Sequence, residues 1–211
     1  GSRRTNEYAA VAAARAAYIA GFASTSNLEA GRHYGIPTTG TAAHSFTLLH
    51  DSEEEAFKAQ LKTLGKGTTL LVDTYDIEEA VRTGVRLSKG KLGAIRLDSG
   101  DLAEQAADVR ALLDSLGATK TKIIVTSDLD EHQIAALRAA PVDGYGVGTS
   151  LVTGSGAPTC GFVYKLVARA TSEAKDAELL PVAKKSSGKI SIGGRKYALR
   201  RIGKTGRAEA E

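Results

Sequence analysis

Three aspartates close short apolar runs along this chain. Thr69-Leu70-Leu71-Val72 ends at Asp73, Ala94-Ile95-Arg96-Leu97 ends at Asp98, and Lys122-Ile123-Ile124-Val125-Thr126 ends at Ser127-Asp128. A fourth run, Val142 to Tyr145, ends at Gly146-Val147-Gly148-Thr149. Carboxylates so placed suit ribose hydroxyls or the Mg2+ that travels with a pyrophosphate, because Mg2+ favours a few carboxylates plus substrate oxygens. Asp73 and Asp98 are the candidate Mg2+ ligands. Gly146 and Gly148 let backbone amides approach a phosphate, and Thr149 adds a hydroxyl. The joint expectation is an anionic, metal-bridged substrate. Two plainer readings compete. An Asp before a helix can cap free N–H groups. Gly-x-Gly-Thr lacks the third glycine of a dinucleotide fingerprint and can be an ordinary turn. Each acid-ended unit, however, carries a second acid placed for capping, namely Asp76, Asp101 and Asp130, which frees the first to face a ligand.

Of the four histidines, His44 stands out because it follows the small-residue turn Gly40-Thr41-Ala42-Ala43 and opens an apolar stretch. A half-buried imidazole there can act as nucleophile or base. His33, His50 and His132 fall in helical stretches beside charged neighbours and read as surface residues. No two histidines have the i, i+4 spacing of a zinc site. Arg96 lies inside an apolar run, where an unpaired charge is costly, and Asp98 shares its face two residues on. Arg3 and Arg4 carry forks suited to carboxylate or phosphate, against the alternative of a frayed terminus. The single cysteine, Cys160, excludes an internal disulfide and reads as a small buried filler.

These residues need elements to position them. Asp73 to Asp98 spans 25 residues and Asp98 to Asp128 spans 30, which suits strand–helix units with short loops. A parallel strand followed by a helix returns the chain to the next strand, so the strand C-termini gather on one rim. In α/β barrels that rim carries the chemistry, and its last loops commonly bind phosphate. The fold class expected is therefore α/β, with parallel strands and a common rim as in an α/β barrel. Helices are expected over Thr5 to Ala20, Leu28 to Tyr34 with Ser26 or Asn27 as cap, Ala42 to His50, and Asp51 to Leu64 with Ser52 as cap. The acids Glu53 to Glu55 would sit in the first turn of the last of these, where the dipole favours them. Phe162 to Ala168 and Tyr197 to Arg201 look like strands of a different kind.

Length and charge set the outer bounds. At 211 residues with 25% charged and 42% apolar residues the chain has an ordinary globular composition. No apolar run approaches the roughly 18 residues that span a bilayer, and no signal peptide is visible. From Gly161 onward 12 Lys+Arg face 5 Asp+Glu, a net +7, which leaves 16 against 19 and a net −3 for residues 1–160. The chain is thus expected to divide into a catalytic body over 1–160 and a basic C-terminal segment over 161–211. The basic segment reads as a solvated or partner-covering edge, because it has few aromatics to stack on nucleic acid. The absence of methionine suggests a chain cut from something longer, with parts missing upstream.

Several pieces, taken in order, resemble nicotinate phosphoribosyltransferases of the bacterial type. They are Gly-Ser-Arg-Arg at 1–4, Ser-Thr-Ser-Asn-Leu-Glu-Ala-Gly at 24–31, Gly-Thr-Ala-Ala-His-Ser at 40–45, Leu-Val-Asp-Thr-Tyr-Asp at 71–76, Ile-Arg-Leu-Asp-Ser-Gly-Asp at 95–101, Thr-Ser-Asp-Leu-Asp-Glu at 126–131 and Gly-Val-Gly-Thr at 146–149. The resemblance implies a cytoplasmic enzyme that makes nicotinate mononucleotide from nicotinate and phosphoribosyl pyrophosphate in NAD salvage, with ATP and Mg2+ as cofactors. It implies that His44 becomes a transient phosphohistidine and that Asp98, a catalytic residue, lies with Asp128 near the ribose and its metal. Thr41, Arg96 and Arg3 would contact nicotinate. Asp128, Gly146, Gly148, Thr149 and Arg4 would hold phosphoribosyl pyrophosphate. It also implies part of an irregular parallel α/β barrel with the N-terminal domain missing, a homodimer with neither nucleic acid nor membrane as partner, and weak activity or none for the isolated segment. Three alternatives stay open: the nicotinamide-using relative, another phosphate-binding barrel such as the quinolinate enzyme, and a nucleic-acid-binding fragment using the basic tail.

Overall fold

The computed structural model describes residues 1–154, 163–186, 190–197, 199 and 201–204. Cys160 and Phe162, for which burial and a strand start are expected, lie outside the described residues.

Four parallel strands run in sequence order across one sheet: β1 (Thr69–Leu71), β2 (Ala94–Leu97), β3 (Lys122–Val125) and β4 (Gly144–Tyr145). Leu70 pairs with Ile95, Ile95 with Ile123, and Val125 with Tyr145. The strands are short and almost wholly apolar, as strands covered on both faces must be. Helices α5 (Ile77–Ser88), α6 (Leu102–Ser115) and α7 (Glu131–Ala136) return the chain between them. Val81, Val85, Leu102, Ala106, Val109 and Leu113 join Leu70, Ile95, Leu97, Ile123 and Val125 in one buried cluster. Because the four strands are parallel neighbours, their C-terminal tips lie side by side. The described sheet is open, so the expected barrel is met as a parallel α/β sheet and not as a closed ring.

The second acids are the caps. Asp76 accepts from Glu79 N at 2.8 Å, Asp101 from Ala103 N and Glu104 N at 3.1 Å each, and Asp130 from Gln133 N at 2.8 Å. Each satisfies N–H groups that a helix start leaves without partners. Ahead of the sheet, α1 (Glu7–Ile19) is capped by Asn6, α2 (Leu28–Tyr34) by Asn27 and α4 (Glu53–Leu64) by Ser52. The helix expected over Ala42 to His50 shrinks to α3 (His44–Leu48), because no side chain caps its start and only Thr47 and Leu48 in it are buried. His50 follows α3 in a turn with Nδ1 2.8 Å from the Phe46 carbonyl, while His33 in α2 and His132 in α7 are exposed.

The strand β1 to β2 connection needs one glycine in particular. Gly93 donates to Lys66 O at 2.9 Å, and a Cβ on it would lie 2.1 Å from Gly67 O. After β4 come α8 (Thr149–Thr153) and an antiparallel pair, β5 (Ala168–Ala170) with β6 (Leu179–Pro181). The strand expected at Phe162 to Ala168 therefore starts only at its end, and Tyr197 to Arg201 forms none among the described residues. Tyr197 and Leu199 are both exposed, Leu199 by 95%.

Ile123 is fully buried at the centre of the sheet. Ile123→Ala is expected to lower the unfolding free energy by about 2–5 kcal/mol, against about 1 kcal/mol for the cap change Asp101→Ala. Denaturant titration of both variants checks the ranking.

Candidate active site

The tip of β1 continues into Asp73 and Thr74, both with no exposure to solvent. Burying a carboxylate without partners is costly, and Asp73 Oδ2 gathers several. It accepts from Ser99 Oγ at 2.5 Å and from Asp98 N at 3.2 Å, and Lys184 Nζ lies 3.7 Å away. Oδ1 of the same carboxylate is buried with no hydrogen-bond partner.

At the tip of β2, Arg96 and Asp98 face the same side. Arg96 Nη2 donates to Asp98 Oδ1 at 2.7 Å and Nε donates to Thr126 Oγ1 at 2.7 Å. Nη1 donates to Thr41 Oγ1, and the Thr126 hydroxyl donates to Asp98 Oδ1. One arginine thus ties the small-residue turn, the β2 tip and the β3 tip together. The pairing expected for an arginine in an apolar strand is present.

His44, the first residue of α3, points into the space between these clusters. Its Nδ1 lies 3.0 Å from Thr74 Oγ1. Its Nε2 has no hydrogen-bond partner and stands 3.8 Å from Asp73 Oδ1 and 3.9 Å from Asp98 Oδ2. Two carboxylates so near would favour imidazolium, yet burial prevails and holds the pKa down at about 4. The upward pull of Asp73 and Asp98 is opposed by Lys184 and Arg96. Each carboxylate already has its own cation, so the imidazole need not be one. The arrangement is a neutral ring between two ion pairs. With Nδ1–H directed to Thr74 Oγ1, the Nε2 lone pair is free for a nucleophilic or basic role.

The other expected site residues are spread along the same rim. Asp128 is exposed at the β3 tip, after Ser127, whose φ of 144° is a conformation that few side chains tolerate. Gly146 packs against Thr126: a Cβ there would meet Thr126 Cγ2 at 2.5 Å, so close strand packing alone requires that glycine. Gly148 is exposed with open space around it, and Thr149 begins α8. The N-terminal turn reaches the β4 side, since a Cβ on Gly1 would contact Val152 of α8 at 3.3 Å. Arg3 and Arg4 belong to that turn. Arg3 is exposed and, among the described residues, makes no bond to His44, Asp73 or Asp98.

For Mg2+ the residues fit in a limited way. Asp73 Oδ1 lacks a partner, and Asp98 Oδ2 faces the same space. Among the described residues, no group of three or more His, Cys, Asp or Glu is arranged to hold a metal. Two carboxylate oxygens plus substrate oxygens make an ordinary Mg2+ set.

Several participants escape the sequence reading. The hydroxyls of Thr74, Ser99 and Thr126 are site members with no warning in the sequence beyond their place at the strand tips, and Lys184 and Glu53 are two more. Lys184, assigned there to a solvated tail, is only 5% exposed and donates to Ser99 Oγ at 3.3 Å, while Lys185 N donates to Thr74 O at 3.3 Å. The one local signal is the apolar pair Val182-Ala183 before it. Glu53 reads as a dipole-complementing acid, and it does open α4. Its carboxyl is half-buried with Oε1 lacking a partner, and burial, then Glu79, Asp73 and Asp76, push its pKa up to about 8.

The sequence model described as the Nicotinate phosphoribosyltransferase (NAPRTase) family matches residues 1–198. The chain belongs to that family. It is 59% identical, over 98% of its length, to a nicotinate phosphoribosyltransferase of Mycobacterium tuberculosis and covers 46% of that protein. It is 42% identical to the nicotinate phosphoribosyltransferase of Bacillus subtilis, over 96% of this chain and 42% of the relative. The chain therefore spans about half the length of the curated relatives it matches. Among solved structures it is similar to nicotinate phosphoribosyltransferase from Vibrio cholerae, with TM-score 0.67 over 90% of this chain and 50% of the other at 20% identity, a likeness of fold. Nicotinate-nucleotide pyrophosphorylase from Pyrococcus furiosus follows at TM-score 0.65 and 26% identity, over 90% of this chain and 47% of the other.

His44 is expected to titrate near pH 4, below the ordinary 6.5 for imidazole. Because the unfolded ring binds a proton more readily, this group removes stability as pH falls from about 6.5 to about 4. An NMR titration with a midpoint at 6.5 or above would contradict the buried, neutral ring. Glu53 behaves oppositely, its raised pKa removing stability as pH rises from about 4.5 to about 8. Glu53→Gln is expected to raise the thermal midpoint at pH 8.5 and to change it little at pH 4.

Proposed function

We propose that the protein bearing this chain joins nicotinate to the phosphoribosyl group of phosphoribosyl pyrophosphate. The products are nicotinate mononucleotide and pyrophosphate in NAD salvage, with ATP hydrolysis coupled through His44. The observation that carries the reading is the His44 ring, held at Nδ1 by Thr74 and open at Nε2 between Asp73 Oδ1 and Asp98 Oδ2. Nε2 attacks the terminal phosphorus of ATP, the bond from that phosphorus to the bridging oxygen breaks, and ADP departs. The phosphorylated ring gains positive charge, which the two flanking carboxylates stabilise. Water later takes the phosphoryl group and restores the imidazole.

Arg96 spends three N–H groups on Thr126, Thr41 and Asp98. A guanidinium has five, so two remain for the nicotinate carboxylate beside Thr41. Asp98 lies next to them, placed to stabilise the positive charge that grows on ribose as the C1–pyrophosphate bond breaks. Arg3, Arg4, Asp128, Gly146, Gly148 and Thr149 would bind the phosphate groups on the β3–β4 side of the rim. Asp73 Oδ1 and Asp98 Oδ2 would hold Mg2+, which when bound screens the pyrophosphate charge. A homodimer and a cytoplasmic setting belong to the same reading. Among the described residues no helix is long and apolar enough to cross a membrane.

One second reading has a specific observation behind it, the likeness to nicotinate-nucleotide pyrophosphorylase at TM-score 0.65. That reading needs neither ATP nor a nucleophilic histidine. Incubation with ATP labelled at the terminal phosphate separates the two. Acid-labile 32P on the wild-type protein, lost in His44→Ala, is expected; label retained in that variant removes the phosphohistidine. Excess unlabelled nicotinate should suppress nucleotide formation from labelled nicotinate far more than excess nicotinamide does.

A further inference from the structure

We propose that Lys184 is a positioning residue for this site, acting through Asp73 on His44; the inference rests on the reading that His44 is the nucleophile. Lys184 comes from the segment after β6, more than a hundred positions beyond Asp73 in the chain. Its side chain is nonetheless buried and meets the site at two points, Asp73 Oδ2 at 3.7 Å and Ser99 Oγ at 3.3 Å. The same strand of chain is fastened beside it: Lys185 N donates to Thr74 O at 3.3 Å, and Ser186 Oγ lies 3.5 Å from Ser99 Oγ. Segment 182–186 therefore lies across the loops that follow β1 and β2. It touches both residues that face the imidazole from the β1 side, Asp73 and Thr74.

The consequence is orientational. A carboxylate offers two equivalent oxygens and turns freely about its last bond unless its partners differ. Here Ser99 Oγ, Asp98 N and the Lys184 ammonium all gather on Oδ2. Oδ1 is left as the oxygen that faces His44 Nε2. The ammonium adds what the two neutral donors cannot, a full charge opposite a carboxylate that has no contact with water. Removing it leaves the donors in place but the charge uncompensated, so the carboxylate has reason to turn, draw water or recruit another cation. The nearest group that could answer is the ring that the reaction requires to be free.

The test uses the protein bearing this chain and compares Lys184→Met, Lys184→Arg and, as an equal change of charge in the same segment, the exposed Lys175→Met. Lys184→Met is expected to slow the limiting rate of 32P labelling by at least about tenfold, given how strongly a buried charge depends on its partner. Half-saturation by ATP should stay within about twofold, Lys184→Arg should recover part of the rate, and Lys175→Met should leave it unchanged. A Lys184→Met rate equal to wild type overturns the proposal, as does an unchanged limiting rate with a large rise in half-saturation, which would make Lys184 an ATP ligand instead. If the wild-type protein takes no label, the function reading fails by itself. The positioning claim is then judged by the His44 ring resonances at a single neutral pH. They should move in Lys184→Met, move back toward wild type in Lys184→Arg and stay fixed in Lys175→Met; unmoved resonances in Lys184→Met overturn it.

Discussion

A carboxylate sealed from water at the end of β1 is the constraint around which this rim is built. Asp73 has no exposure, and a charge in that position is tolerated only when donors and a counter-charge are supplied. They come from two places: a serine and a backbone amide at the β2 tip, and a lysine from far along the chain. Supplying them forces the β1 and β2 loops together and draws segment 182–186 over both. The position of His44 follows, because the residue after Asp73 is the one that holds its Nδ1.

Asp98 is satisfied differently. Its partners are Arg96, on its own strand, and Thr126, on the next. The guanidinium also takes the hydroxyl of Thr41, so the turn before α3 is fixed to the sheet by the same group. Two acids on adjacent strands thus have separate cations and separate hydroxyls. Between them the imidazole stays neutral, with its unpartnered nitrogen facing both. A single shared cation would not give this balance, since one acid would then pull the proton onto the ring.

Much of this is legible in the chain. The spacing of apolar runs predicts parallel units, and the doubled acids separate capping from rim positions: Asp76, Asp101 and Asp130 cap, while Asp73 and Asp98 do not. Arg96 in an apolar strand demands a partner, and Asp98 two residues on is that partner. What is not legible depends on contacts between distant segments. Lys184 sits in a basic stretch whose composition matches a solvated edge, and only the path of the chain carries it inward. Glu53 has the position of a helix-start acid, and its sequence gives no warning that Asp73, Asp76 and Glu79 stand near it. Gly146 shows the converse, because its missing Cβ is explained by Thr126 before any phosphate is invoked.

The sheet is laid down in the order β1-β2-β3-β4, each strand beside the one made just before it. Such near-neighbour pairing closes small loops and can proceed while later residues are still being synthesised. The ammonium that completes the Asp73 environment arrives only after all four strands and the β5–β6 pair exist. A nascent chain thus has the framework of the rim well before it has a finished centre. Reactivity of the imidazole is tied in this way to a segment made only after the whole sheet.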